Sequence, residues 1–333
     1  MALYVVSAFE EFLANMVNLD PPQTSAARAS REWLMDQIHA FPSRHGDFPL
    51  LYEERDIAFG SFARRTKIRP LDDIDQIACL HANGATYLTI SHDDVRLTVA
   101  EGSRLYEYRH DESSDLNSRK IINRFVRALS DVPQYSRAEI NRRAEAATLQ
   151  LATYGWNFDI VPAFMTQPEQ SGETFYLIPN GRGHWKKTDP RKDRDRVTIV
   201  NQHHGGWMLN VLRLVKYWQR RATMPTISSY LLECMVVDHF AAKSAICSEY
   251  PDVELAATLR SIAQMVTGRV PDPKGIQWDL NDLDLLTRMT IRDRANLDAD
   301  KCVEARGLEI AKNYSASINK WREIFGSKFP QYG

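Results

Sequence analysis

Two acids one residue apart inside an apolar run, Asp73-Ile74-Asp75-Gln76-Ile77-Ala78-Cys79-Leu80, constrain this chain more than any other stretch. The alternation reads as a β-strand, whose period of two sets Asp73 and Asp75 on one face and turns Ile74 toward a core. Like charges so placed repel unless a cation neutralises them, and hard oxygen ligands suit Mg²⁺. Ser61, preceded by Gly60, stands twelve residues before Asp73. Without a Cβ, Gly60 lets the backbone pass close to a phosphate, and Ser61 offers an N–H and a hydroxyl at the start of a short helix.

Taken alone, a Gly-Ser pair is an ordinary turn and an Asp-x-Asp an ordinary solvated strand end. In this order and at this distance they form an anion cradle followed by a pair of acids. A third acid is the test, and Trp156-Asn157-Phe158-Asp159-Ile160-Val161-Pro162-Ala163-Phe164 supplies it. An Asp within such an apolar run, if the run lies in a central sheet, needs a partner. A metal held by Asp73 and Asp75 would provide one, giving the three-carboxylate, two-cation array that clamps attacking and leaving oxygens in phosphoryl transfer. The alternative is an Asp capping the following turn.

The bounds agree with small-molecule chemistry. With 333 residues and 44% hydrophobic content, the chain can bury one large or two medium cores. A net charge of −1 and a pI near 6.8 argue against a dedicated duplex-binding protein, which needs a basic surface. Cys79, Cys234, Cys247 and Cys302 lie far apart, so neither a disulfide framework nor a zinc knuckle is indicated, and a cytoplasmic location is expected. The apolar opening Ala2-Leu3-Tyr4-Val5-Val6 is broken by Glu10 and Glu11, and neither a signal peptide nor a membrane span is expected.

Along the chain, residues 1–45 read as two bracing helices. Phe9, Phe12, Leu13 and Met16 form one face; after Pro21-Pro22, Trp33, Leu34, Ile38 and Phe41 form the other. Residues 46–200 read as a mixed sheet with helices. Its expected strands are Asp73–Leu80, Tyr87–Ile90, Arg96–Val99, Leu105–Tyr108 and Trp156–Val161, with helices over Ser118–Ala128 and Arg137–Ala147. Within it, residues 165–200 are polar and turn-rich, so a solvated loop is expected there, with a lid over a ligand as the alternative. Trp185 either stacks on a base or anchors that loop. Residues 201–333 read as a helical domain. Trp207, Val211, Leu214, Val215 and Trp218 mark a helical spine with Lys216 on its flank, where a lysine is ordinarily a surface residue. Helices are expected over Ser229–Ser248, Val253–Thr267 and Ala299–Phe325. His203 and His204 lack a third ligand at metal spacing and read as loop or helix-start residues.

These motifs together resemble the CD-NTases, the bacterial cGAS/oligoadenylate-synthetase-like nucleotidyltransferases of anti-phage CBASS systems. The resemblance rests on Gly60-Ser61 with Thr66 and Ile68, on Asp73-Ile74-Asp75, and on Asp159-Ile160-Val161-Pro162-Ala163. It also rests on Leu212–Trp218, on Ser228-Ser229-Tyr230-Leu231-Leu232-Glu233 and on Trp321-Arg322-Glu323-Ile324-Phe325-Gly326-Ser327. The carboxylate trio is shared across polymerase-β-like enzymes, and the later motifs narrow the likeness. The resemblance implies an α+β, polymerase-β-like nucleotidyltransferase sheet packed on a C-terminal helical domain. It implies template-independent synthesis of a cyclic di- or trinucleotide second messenger with pyrophosphate release, in anti-phage defence. Asp73, Asp75 and Asp159 would hold two Mg²⁺ ions, with Mn²⁺ as a substitute, while Gly60, Ser61, Lys216 and Ser229 would bind the donor triphosphate. ATP, with GTP or other NTPs, would be substrate; a product-sensing effector and a regulatory protein would be partners, with no obligate nucleic acid and no membrane. The rival readings are a linear oligonucleotide synthase or a tRNA- or protein-modifying enzyme of the same fold and, from another class, an inactive nucleotide-binding partner subunit. That last reading would be marked by loss of an acid, and all three acids are present.

Overall fold

A computed structural model describes residues 2–151 and 153–333. Helix α1 (Val5–Phe12) runs into a π-helical turn at Leu13–Val17, and α2 (Pro21–His39) and a short α3 (Phe41–Arg44) follow. Next come strand β1 (Ile57–Phe59), the single turn α4 (Gly60–Ala63) and β2 (Asp73–Leu80). The chain continues through β3 (Thr86–Ser91), β4 (Asp94–Thr98), α5 (Ser118–Ser130), β5 (Glu139–Arg143), β6 (Ala146–Gln150) and β7 (Asn157–Met165). A hairpin of β8 (Tyr176–Pro179) and β9 (Trp185–Thr188) precedes α6 (Pro190–His203). Thereafter the described elements are helices: α7 (Met208–Gln219), α8 (Ser229–Ala241), α9 (Pro251–Met265), α10 (Leu285–Ile310) and α11 (Tyr314–Phe325).

The chain separates into two compact units, one of residues 21–63 and 71–192, the other of residues 1–20, 64–70 and 193–333. Against the expected division into 1–45, 46–200 and 201–333, the two opening helices fall into different units: α1 belongs to the helical unit and α2 to the sheet unit.

The sheet unit is built on one mixed sheet in the order β1-β2-β7-β8-β9-β4-β3, with the β5-β6 hairpin joined to β7. Strand β7 pairs with β2 in parallel along Asn157–Phe164. Its other edge is divided: Asn157–Ile160 pair with β6, and Phe164 and Met165 with β8. Pro162, which has no N–H to give a ladder, lies in the interval between those two pairings. One sheet face carries Ile74, Phe158 and Ile160, all buried, and α5 packs against β6 and β7. Helix α5 buries Ile121, Ile122, Phe125, Ala128 and Leu129, a spacing that makes one apolar stripe, and Asn117 caps its first turn by accepting from the Arg119 N–H.

Three expectations fail here for local reasons. Residues Arg137–Ala147, expected as a helix, form the β5-β6 hairpin, with Ala144 in the left-handed region at its turn (φ 43°). The sheet edge offered by β7 overrides the helix preference of an Ala- and Arg-rich segment. Leu105–Tyr108, expected as a strand, closes as a 3₁₀ turn because Ser103 accepts from the Leu105 N–H through its hydroxyl and from the Tyr106 N–H through its carbonyl. Residues 165–200 are not one solvated loop: Tyr176–Pro179 and Trp185–Thr188 pair, and α6 follows. Trp185 is fully buried with its indole N–H donating to the Leu116 carbonyl, so it is an anchor and not a stacking platform.

The helical unit has a core that includes Phe9, Phe12, Trp218, Ile318, Trp321 and Phe329. Phe9 meets Trp321 and Phe329 edge-on, with ring centroids 4.9 and 5.0 Å apart. Such pairs contribute about 0.5–1.5 kcal/mol beyond their burial. The single helix expected over Ala299–Phe325 is two, α10 and α11, divided at Lys312 (φ 59°) with Asn313 capping the second. Its start also lies earlier, at Leu285, where Asp284 caps α10. His203 ends α6, and His204 is buried, its Nε2 within 2.9 Å of the Phe240 carbonyl and its Nδ1 accepting from the Cys247 N–H, so it is a core residue. Trp207, expected on the buried spine, is 40% exposed just before α7. All four cysteines are free and buried. Among the described residues no helix is long and apolar enough to cross a membrane.

Candidate active site

Strand register assembles the acids in the sheet unit. Asp75 lies directly opposite Asp159, and Asp73 opposite Asn157. Parallel neighbours in register share a face, about 4.8 Å apart between strands. The row extends both ways, since Phe59 of β1 lies opposite Asp75 and Thr148 of β6 opposite Asp159. Two residues further along β2 and β7 the same face turns apolar, with Ile57, Ile77, Ala146 and Val161 in a small buried cluster. The acids therefore stand half-buried at the lip of an apolar patch while Ile74, 1% exposed, points the other way, as alternation requires.

Gly60 is fitted against this row. It follows β1 with a left-handed backbone (φ 72°), and a Cβ built there would lie 1.7 Å from Asp75 Oδ2. Any side chain would both strain the backbone and displace the carboxylate. Thr148 Oγ1 donates to Asp159 Oδ1 at 2.6 Å. Thus the structure brings Gly60, Asp75 and Asp159 together, with Asp73 on the same face and Ser61 as the second residue of α4.

The donor set of the row is oxygen only and fits a hard cation such as Mg²⁺, which Asp73, Asp75 and Asp159 would hold. Among the described residues no three His, Cys, Asp or Glu side chains already converge at metal-ligand spacing, so the trio is a shared face and not a closed cage.

In the helical unit, Lys216 and Ser229 meet around Glu233. Lys216 is 6% exposed, buried on α7 where a surface position was expected, and its ammonium donates to Glu233 Oε1 at 2.7 Å. Arg64 donates from Nε and Nη2 to Glu233 Oε2, each at 3.0 Å, and Ser229 makes a longer contact of 3.4 Å to Oε1. Burial by itself would raise Glu233, but Arg64 and Lys216 hold its carboxyl below the ordinary value. Burial lowers Lys216 despite that partner. Beside it the Tyr230 hydroxyl donates to Asp193 at 2.6 Å and accepts from Lys274 at 2.8 Å.

Sequence reasoning gave no role to Arg64, Glu233 or Thr148. Glu233 was visible as an acid four residues after Ser229 on a helix, a spacing that puts both on one face. Thr148 carried one weak signal, a β-branched residue in the alternating Ala147-Thr148-Leu149-Gln150.

No family model matches the chain. It is 40% identical over 327 residues to a probable cyclic nucleotide synthase of Bacillus cereus (strain VD146), covering 98% of each protein. It is 22% identical to the cyclic AMP-AMP-AMP synthase of Escherichia coli (strain MS 115-1), covering 96% of this chain and 95% of that one. Among solved structures, CdnC of E. coli MS115-1 with ATP superposes with a TM-score of 0.70 at 17% identity, over 97% of this chain and 98% of the other. CdnC in complex with HORMA-deltaN matches equally well.

Proposed function

The chain belongs to the CD-NTases, bacterial cGAS/oligoadenylate-synthetase-like nucleotidyltransferases, and on that premise we propose that it joins nucleoside triphosphates without a template into a cyclic di- or trinucleotide. The observation that carries the reading is the register of Asp75 against Asp159 with Gly60 closed down on Asp75. A left-handed glycine packed on the oxygen of that carboxylate supports the reading, because no other residue leaves both the turn and the acid in place. Two Mg²⁺ ions held by Asp73, Asp75 and Asp159 would lower the pKa of the acceptor hydroxyl and neutralise charge developing on the donor phosphates as pyrophosphate leaves. Asp159 would sit nearest the attacking hydroxyl. Gly60 leaves the backbone bare for phosphate to approach, with Ser61 beside it; the family resemblance gives Ser229 and Lys216, the latter already paired with Glu233, as further contacts of the triphosphate.

ATP as a substrate is supported by the product named for the E. coli relative and by the ATP in the CdnC structure. The HORMA-deltaN complex of CdnC supports a regulatory protein partner. A cytoplasmic anti-phage role with a product-sensing effector completes the proposal. Incubation with each labelled NTP and Mg²⁺, followed by mass identification, tests it. The expected product is small, of fixed size, and unchanged in mass by phosphatase. A ladder of products that all lose phosphate would mean a linear synthase; labelled tRNA or protein with no small product would mean a macromolecule-modifying enzyme.

A further inference from the structure

Asp159 has a defined partner within the sheet. It sits on β7 opposite Thr148 of β6, and the Thr148 hydroxyl donates to its Oδ1 at 2.6 Å. Thr148 is 4% exposed, so this hydroxyl is out of reach of bulk water and depends on a protein partner. A valine would fill the same volume with equal preference for a strand, so shape does not require the hydroxyl. Its chemical effect is on direction: a donor fixed to one oxygen of a carboxylate stops its rotation and leaves the second oxygen for another ligand. Carboxylates that ligate metals are characteristically held this way by a neighbouring donor.

We infer that Thr148 is a positioning residue for nucleotidyl transfer: its hydroxyl locks the Asp159 carboxylate so that the second oxygen is available to a divalent cation. This rests on the assignment of Asp73, Asp75 and Asp159 as the catalytic acids. The hydroxyl is neutral, so it orients Asp159 without cancelling the charge that a cation needs.

The test uses the full chain as Thr148→Val, Thr148→Ser and Asp159→Asn. Binding of Mn²⁺ alone is followed by loss of the free-ion electron paramagnetic resonance signal, and kcat and KM for ATP are measured separately. Thr148→Val is expected to weaken Mn²⁺ binding and to lower kcat by about tenfold or more, the usual effect of losing a partner of a metal ligand. KM for ATP should stay unchanged, and Thr148→Ser should restore both quantities. If Thr148→Val does not fold, Thr148→Ala removes the same hydroxyl without adding bulk at the site. Wild-type Mn²⁺ binding and kcat in the hydroxyl-free variant, with Asp159→Asn inactive, overturns the role of Thr148 and leaves the acid assignment standing. Thr148→Ser behaving like Thr148→Val overturns it too, because packing would then be the cause. Asp159→Asn retaining both Mn²⁺ affinity and turnover overturns the acid assignment itself.

Discussion

Asp159 in the sheet unit is half-buried and held by a neutral hydroxyl, whereas Glu233 in the helical unit is 2% exposed and held by two cations. The two acids show what a partner's charge decides. A hydroxyl sets where a carboxylate points and leaves its charge to act on something else. Arg64 and Lys216 cancel the charge of Glu233, which is what makes so deep a burial tolerable. The acid row is thus suited to gathering cations, and the Glu233 cluster to fixing basic side chains in place.

The contrast breaks first at the acid row. Replacing both Asp73 and Asp75 by Asn should reduce product formation by on the order of a thousandfold or more, as loss of electrostatic stabilisation at a reacting centre does. The fold should persist, because both side chains are only half-buried. Synthesis assays beside thermal unfolding check this; a double variant that still makes product at near the wild-type rate would defeat the assignment.

Glu233→Gln should show the opposite profile, a stability loss of about 3–5 kcal/mol from leaving buried cations poorly paired, read by urea unfolding. The sign with pH follows from its depressed folded value. The contribution of Glu233 is fully present above the ordinary carboxylate range, from about pH 5 upward, and is lost as pH falls through the lower folded value. The stability gap between wild type and Glu233→Gln should therefore narrow on acidification. A gap that stays constant down to the acid limit of folding would mean that the carboxylate is not held by its cations.

The smallest effect is expected at Ser229, whose contact to Glu233 is long. Ser229→Ala should raise KM for ATP by about two- to tenfold, the worth of one neutral hydrogen bond, with kcat unchanged. Unchanged kinetics at limiting ATP would confine Ser229 to opening α8.

The two regions also differ in how far they could be read without coordinates. The acid row was legible because alternation is a local property: Asp73, Ile74 and Asp75 declare their faces within one strand, and Asp159 declared itself by standing among apolar residues. The Gly60 contact was legible as a glycine but not as a contact, since it depends on β1 pairing with β2 at Phe59 and Asp75. Thr148 was hidden by a segment whose composition favours a helix and whose strand state is imposed by β7. The burial of Lys216 was hidden because its partner, Glu233, lies 17 positions after it and is shared with Arg64, 152 positions before it in the chain. In the 165–200 stretch a local signal is present: Phe175-Tyr176-Leu177-Ile178 is an apolar run closed by Pro179, and Asn180-Gly181 follows as a turn.

The divided edge of β7 separates two jobs that a single long partner strand would have fused. Because β6 covers only Asn157–Ile160 and β8 takes over at Phe164, the hairpin of residues 139–150 touches the ladder around the third acid and stops one residue past it. Sequence drift in that hairpin can retune how Asp159 is held while β2, Gly60 and the paired acids stay as they are. The third acid has, in effect, its own adjustable mount, and relatives that differ in metal preference or turnover are expected to differ first at the position that corresponds to Thr148.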